Sequence, residues 1–173
     1  AADILAHWDV TTGAFTVHPG HYQLIAARSA GRPELHTELT ITGPTPEPRR
    51  LLATPLRAVD FDDYEHITLV DATRADGDAV TPDGDQGELL FRNVDLTGVG
   101  TVTAEVSRTS PGSAHLELRA GDSLLATVTI PSTGDRYAWI TVLAEVDGAP
   151  SGVHDLRVVL TGEQRLATLT FAP

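Results

Sequence analysis

The stretch Leu116–Val142, LELRAGDSLLATVTIPSTGDRYAWITV, decides the fold class of this 173-residue chain. Leu116 and Leu118 alternate with Glu117 and Arg119, and Ala126, Val128 and Ile130 alternate with Thr127 and Thr129. A period of two sends successive side chains to opposite faces, as in a β-strand with one face buried. Ala120-Gly121-Asp122-Ser123 turns the chain between the first two runs. Pro131-Ser132-Thr133-Gly134-Asp135 turns it again, because proline fixes φ and glycine admits positive φ. Trp139 leads a third run, in which Ile140, Val142, Ala144 and Val146 share a face. Consecutive alternating runs joined by short turns predict antiparallel sheet.

The same pattern extends outward in both directions. Strands are predicted at Leu89–Asp95, Thr101–Arg108, Ala114–Arg119, Leu124–Ile130, Tyr137–Val146, His154–Leu160 and Leu166–Phe171. Short, evenly spaced strands with Gly, Pro and Ser turns and no helical period predict an all-β, antiparallel β-sandwich of jelly-roll type. Upstream, DFDDY (Asp60–Tyr64) starts a strand that His66–Val70 continues, and the acidic stretch Asp71–Gln86 reads as solvated loop. Asp76-Gly-Asp78 and Asp83-Gly-Asp85 within it do not match EF-hand spacing.

A proline-spaced segment, Gly43-Pro44-Thr45-Pro46-Glu47-Pro48, marks a boundary, because such a run is extended and semi-rigid. The expected organisation is a short N-terminal piece over 1–43, a linker over 44–57 and the sandwich over 58–173. In the N-terminal piece, Phe15 and Val17, Tyr22–Arg28, and the alternating Leu35, Leu39 and Ile41 give three short antiparallel strands. Three strands bury too little apolar surface to be stable alone, so this piece must pack on something.

Composition narrows the partners. The net charge is −12, and every basic residue apart from the histidines is an arginine. That balance argues against nucleic acid and anionic membrane, and leaves neutral ligands and cations open. With no cysteine, a disulfide or thiolate metal site is excluded. No apolar run is long enough to cross a bilayer, and Ala1–Val10 lacks the features of a signal peptide. The chain is expected to start in mid-domain, with targeting information upstream. None of the seven histidines is placed for catalysis: His154 and Asp155 are neighbours on a strand and point to opposite faces.

Four segments in order carry a resemblance to family 6 carbohydrate-binding modules over residues ~58–172. DFDDY stands where that family has a strand of the form E-A-E-D-Y. LLFRNVDLTG (Leu89–Gly98) is similar to its W-I-R-Y-K-N-V-D segment, LELRAGDSLLATVTIPSTGD to a strand-turn-strand ending in T-G-G-W, and SGVHDLRVVLTG (Ser151–Gly162) to its G-x-H-x-L strand. The N-terminal WDVTTGAFTVHPGHYQLIAARSA resembles the end of the fibronectin type III-like domain found in family 3 glycoside hydrolases. Together these imply a noncatalytic accessory region at the C-terminus of a β-glucosidase- or β-xylosidase-type enzyme. Its partners would be a β-linked glycan and the upstream catalytic domains, which would carry the catalytic residues, and an extracellular location is favoured.

A sugar site needs an aromatic face for a pyranose and a few polar groups for its hydroxyls. The resemblance points to Trp139 and Tyr137, with Arg136 where the family motif has its tryptophan and Arg165 where it has a late asparagine. Between Glu65 and Gln86, where a second aromatic wall belongs, there is none. Two readings stay open: a module that binds altered or acidic glycans, and a structural module that packs on the catalytic domains without binding sugar. The resemblance also implies one structural calcium ion, held through Asp60 and Asp62, whose alternation on a strand would put both carboxylates on one side. Ala167 stands where that family has a further aspartate.

Overall fold

The computed structural model describes residues 5–29, 31–43, 45–75 and 77–173. The chain divides into two compact units, Ala1–Glu47 and Pro48–Pro173. In the first, β1 (His7–Asp9) pairs with β2 (Ala14–Thr16), and β3 (Gly20–Ser29) forms a long hairpin with β4 (Arg32–Ile41). Tyr22 opposes Leu39, Leu24 opposes Thr37 and Ala26 opposes Leu35, so the hairpin gathers an apolar face. That face is not covered within the described residues: Leu35 is 72% exposed.

The second unit is an all-β sandwich of two six-stranded sheets. The first sheet has the order β13 (Ser123–Pro131), β12 (Ser113–Ala120), β15 (Val153–Thr161), β10 (Gln86–Asp95), β5 (Arg49–Arg50), with β7 (Asp63–Glu65) also paired to β10. The second has the order β14 (Ile140–Glu145), β11 (Thr101–Ser107), β16 (Arg165–Ala172), β9 (Asp78–Pro82), β8 (Ile67–Asp71), with β6 (Leu56–Arg57) on β16. The alternation in the sequence is the alternation of burial. Leu116, Leu118, Val128 and Ile130 are fully buried and meet Leu89, Phe91, Leu156 and Leu160 of the same sheet in one core. Val102, Val106, Leu166 and Leu169 close the core from the second sheet. On the outer face of the first sheet, Arg157 grips Glu88 through two hydrogen bonds and Arg119 pairs with Glu117.

Two local expectations are corrected here. Asp78–Pro82, read as part of a solvated loop, forms β9, because Ala79 and Val80 are fully buried and the segment pairs with β8. Residues 49–57, read as linker, supply two strands of two residues each and bury Leu51 and Leu56 in the core. Asp76 lies outside the described residues. No described helix is long and apolar enough to cross a membrane.

Candidate functional site

One end of the second sheet gathers four loops. There β11 ends at Ser107, β14 begins at Ile140 and β16 begins at Arg165, and the loop from Asp71 to Asp78 is tied to them by Arg165 and Trp139. The register brings Ile140 to Val106 and Val106 to Leu166, which aligns the ends of β11, β14 and β16 side by side, while Leu166 meets Val80 within β9. Buried Arg108 fixes the loops beneath the site. Its guanidinium donates to the carbonyls of Glu163 (2.8 Å), Ser110 (2.8 Å), Gly112 (2.7 Å) and Pro111 (3.2 Å). Thr133 locks on from the other side: its N–H donates to the Arg108 carbonyl (2.8 Å) and its hydroxyl accepts the Arg108 N–H (3.1 Å). The Glu163 carboxylate accepts the Ser110 N–H at 2.9 Å, and hydrogen bonding from the Ser110 side chain first, then from its backbone, lowers its pKa below the ordinary glutamate value.

The turn before β14 is set by Asp135. Its carboxylate accepts the Tyr137 N–H (2.7 Å) and its carbonyl accepts the Ala138 N–H (3.1 Å). Side-chain capture of a backbone N–H two residues on is an Asx-type turn, which competes with strand pairing. Tyr137 and Trp139 therefore lie in the loop at the sheet end, and not on the strand expected from Tyr137 onward.

The structure brings Tyr137, Trp139 and Arg165 together with a residue that the sequence did not single out, Arg74. The guanidinium carbon of Arg165 lies 5.4 Å from the Tyr137 ring centroid and that of Arg74 lies 5.6 Å away. Arg165 Nη1 also donates to the Asp71 carbonyl (3.0 Å), and the Trp139 indole N–H donates to the Ala72 carbonyl (2.8 Å). Trp139 is half-buried and ties the Asp71–Ala75 loop to the sheet end, while half-buried Tyr137 sits between that loop and β16. Arg136 is exposed in the same turn, and its carbonyl accepts the Ser107 hydroxyl (2.8 Å). The only sequence signal for Arg74 was the loop that lacked an aromatic wall. The arrangement offers an aromatic ring and guanidinium N–H donors.

The family model for carbohydrate binding module (family 6) matches residues 57–172. The chain belongs to carbohydrate-binding module family 6. Its fold is shared with solved structures of that family. One is a β-1,3-glucan-binding module from Bacillus halodurans, with TM-score 0.65 and 21% identity, covering 73% of this chain and 100% of that one. Another is a module from Clostridium stercorarium in complex with cellobiose, with TM-score 0.63 and 21% identity, covering 72% and 96%. A family 43 arabinoxylan arabinofuranohydrolase from Bacillus subtilis, in complex with cellotetraose, matches with TM-score 0.65 and 20% identity over 86% of this chain and 32% of that one. No curated protein matches the chain in sequence.

In this family 6 module the oxygens expected to hold calcium are engaged by an arginine. Arg49 Nη1 donates to the Asp60 carbonyl (2.8 Å) and Nη2 to Asp62 Oδ1 (2.9 Å), while Asp62 Oδ2 accepts the Arg92 N–H (2.7 Å). The Arg49 side chain is only 12% exposed, and its guanidinium carbon lies 5.7 Å from the Phe91 ring centroid. Asp60 and Asp62 precede β7 and do not alternate along it. The Asp60 N–H donates to the Arg57 carbonyl, which sets a turn there, and the Asp62 N–H donates across to the Leu90 carbonyl of β10. Calcium takes roughly six to eight oxygen ligands. No group of three or more acidic or histidine side chains among the described residues could supply them, so the residues present do not fit that ion.

Proposed function

We propose that Pro48–Pro173 holds a β-linked glycan at the end of the second sheet, as a noncatalytic accessory module of a glycoside hydrolase. The observation that carries this reading is the convergence of Tyr137, Trp139 and Arg165 at one loop-bearing end of a family 6 sandwich. The module from Clostridium stercorarium was solved with cellobiose and the one from Bacillus halodurans binds β-1,3-glucan, which supports a β-linked ligand here. That this chain spans about a third of the Bacillus subtilis hydrolase it matches supports a place beside a catalytic domain.

A family 3 parent enzyme is proposed from the resemblance of the N-terminal segment. The uncovered apolar face of the β3–β4 hairpin supports it, because a two-stranded sheet needs a second layer to be stable. The second reading, a module that packs on catalytic domains without binding sugar, is favoured by the Trp139 indole bond to Ala72, which engages the polar edge of that ring within the chain.

Titration with xylo-, cello- and laminari-oligosaccharides separates the two. In a Trp8→Phe background, emission comes from Trp139 alone. A saturable change that Tyr137→Ala abolishes is the expected result. No change with any glycan, and no retention on insoluble polysaccharide, would overturn the sugar-binding reading.

A further inference from the structure

We infer that the sugar taken at this end carries a negative charge, as a uronate carboxylate or a sulfate ester. The inference rests on the carbohydrate-binding reading and names the class of glycan. The chain has twice as many acidic side chains as arginines, so a guanidinium in the sandwich readily finds a carboxylate. Arg49 pairs with Asp62, Arg57 with Asp78, Arg92 with Asp63, Arg119 with Glu117 and Arg157 with Glu88. Arg108 is buried and directs its N–H groups to carbonyls. Arg74, Arg136 and Arg165 form no ion pair among the described residues, and all three lie in the loops or strand start at one end of the second sheet.

Two of these three lie against the same ring. With guanidinium carbons 5.4 and 5.6 Å from the Tyr137 centroid, the like charges repel. Cation–π attraction at such a site contributes only about 0.5–1 kcal/mol each. The carboxylate nearest in sequence, Asp135, is held by the Tyr137 N–H. Arg165 uses one N–H group on the Asp71 carbonyl, leaving the rest of its fork open. A neutral pyranose gains little from this arrangement, because a guanidinium donates but accepts nothing and its charge goes unused. A carboxylate or sulfate accepts two parallel N–H bonds from such a fork, each strengthened by the charge. The strongly acidic remainder of the chain disfavours polyanions elsewhere, so recognition is confined to this end.

The test is affinity electrophoresis of the full chain in glucuronoxylan, in the same polymer after carboxyl reduction, and in a sulfated galactan. Carboxyl reduction should weaken binding by about tenfold or more, and Arg74→Ala, in an exposed loop, should reproduce that loss on the charged polymer. The loss caused by Arg74→Ala should be smaller on the reduced polymer than on the charged one. Tighter binding to the sulfated galactan than to either xylan would support the inference with sulfate as the charge. Equal binding to charged and reduced xylan, with no tighter binding to the sulfated galactan, overturns the inference and leaves carbohydrate binding intact. Binding to no polymer, neutral or charged, overturns both.

Discussion

Arg49 shows how a single side chain can alter what a family motif implies. DFDDY marks Asp60 and Asp62 as candidate cation ligands, but the structure fills their surroundings with a guanidinium that takes one carbonyl and one carboxylate oxygen. Its partners lie 11 and 13 residues away along the chain, and no periodicity reports such a contact. The same limit applies to Arg74, which meets Tyr137 only because the loop after β8 folds back over the sheet end. The melting temperature of the chain should therefore be unchanged by chelator or by added calcium. Arg49→Ala should cost about 2–3 kcal/mol in chemical denaturation, since two charge-assisted bonds to a mostly enclosed side chain are lost. A melting temperature that rises with calcium would show that the carboxylates bind the ion after all.

At the scale of elements, strands with alternating apolar residues were legible from sequence, and those defined by distant partners were not. Leu116–Leu118 and Val128–Ile130 declare their strands locally because every second side chain is buried. In β9 only Ala79 and Val80 are fully buried, between Asp78 and Thr81, so the pairing with β8 decides its structure. The strands β5 and β6 have two residues each and exist only through β10 and β16. Tyr137–Trp139 looked like strand because its apolar residues alternate, yet the Asp135 carboxylate turns the backbone first.

Close approach of elements is also testable. A Cβ on Gly87 of β10 would lie 2.4 Å from the His66 carbonyl oxygen, in a backbone where His66 already has φ 50°. Gly87→Ala should destabilise the sandwich by about 3 kcal/mol, at the upper end for overpacking, as measured by urea unfolding. The β15–β16 turn adds a pH dependence through Glu163. Its folded pKa lies below the unfolded value near 4.5, with the Ser110 bond as the leading cause. That contribution is fully present above pH 4.5, and it is lost as the pH falls through the folded pKa, because the unfolded chain takes up its proton first. Glu163→Gln should remove this part of the acid slope while leaving the shape of the profile above pH 6 unchanged.

At the scale of the whole molecule, the chain joins a sandwich with its own core to a small unit without one. The buried residues of Pro48–Pro173 form one continuous cluster across both sheets, whereas Asp9 is the only buried residue described within Ala1–Glu47. The fragment 48–173 is therefore expected to fold alone in a single cooperative transition, and the fragment 1–47 to show none in circular dichroism on heating. Two-state unfolding of 1–47 would contradict this division.

The central claim is that the loop end around Tyr137 holds a glycan. Isothermal titration of the full chain and of Tyr137→Ala with soluble glucuronoxylan fragments tests it most directly. Saturable binding by the parent chain, weakened about tenfold or more in Tyr137→Ala at unchanged melting temperature, is the predicted result. Equal affinities in the two proteins, or no heat from either, would contradict it.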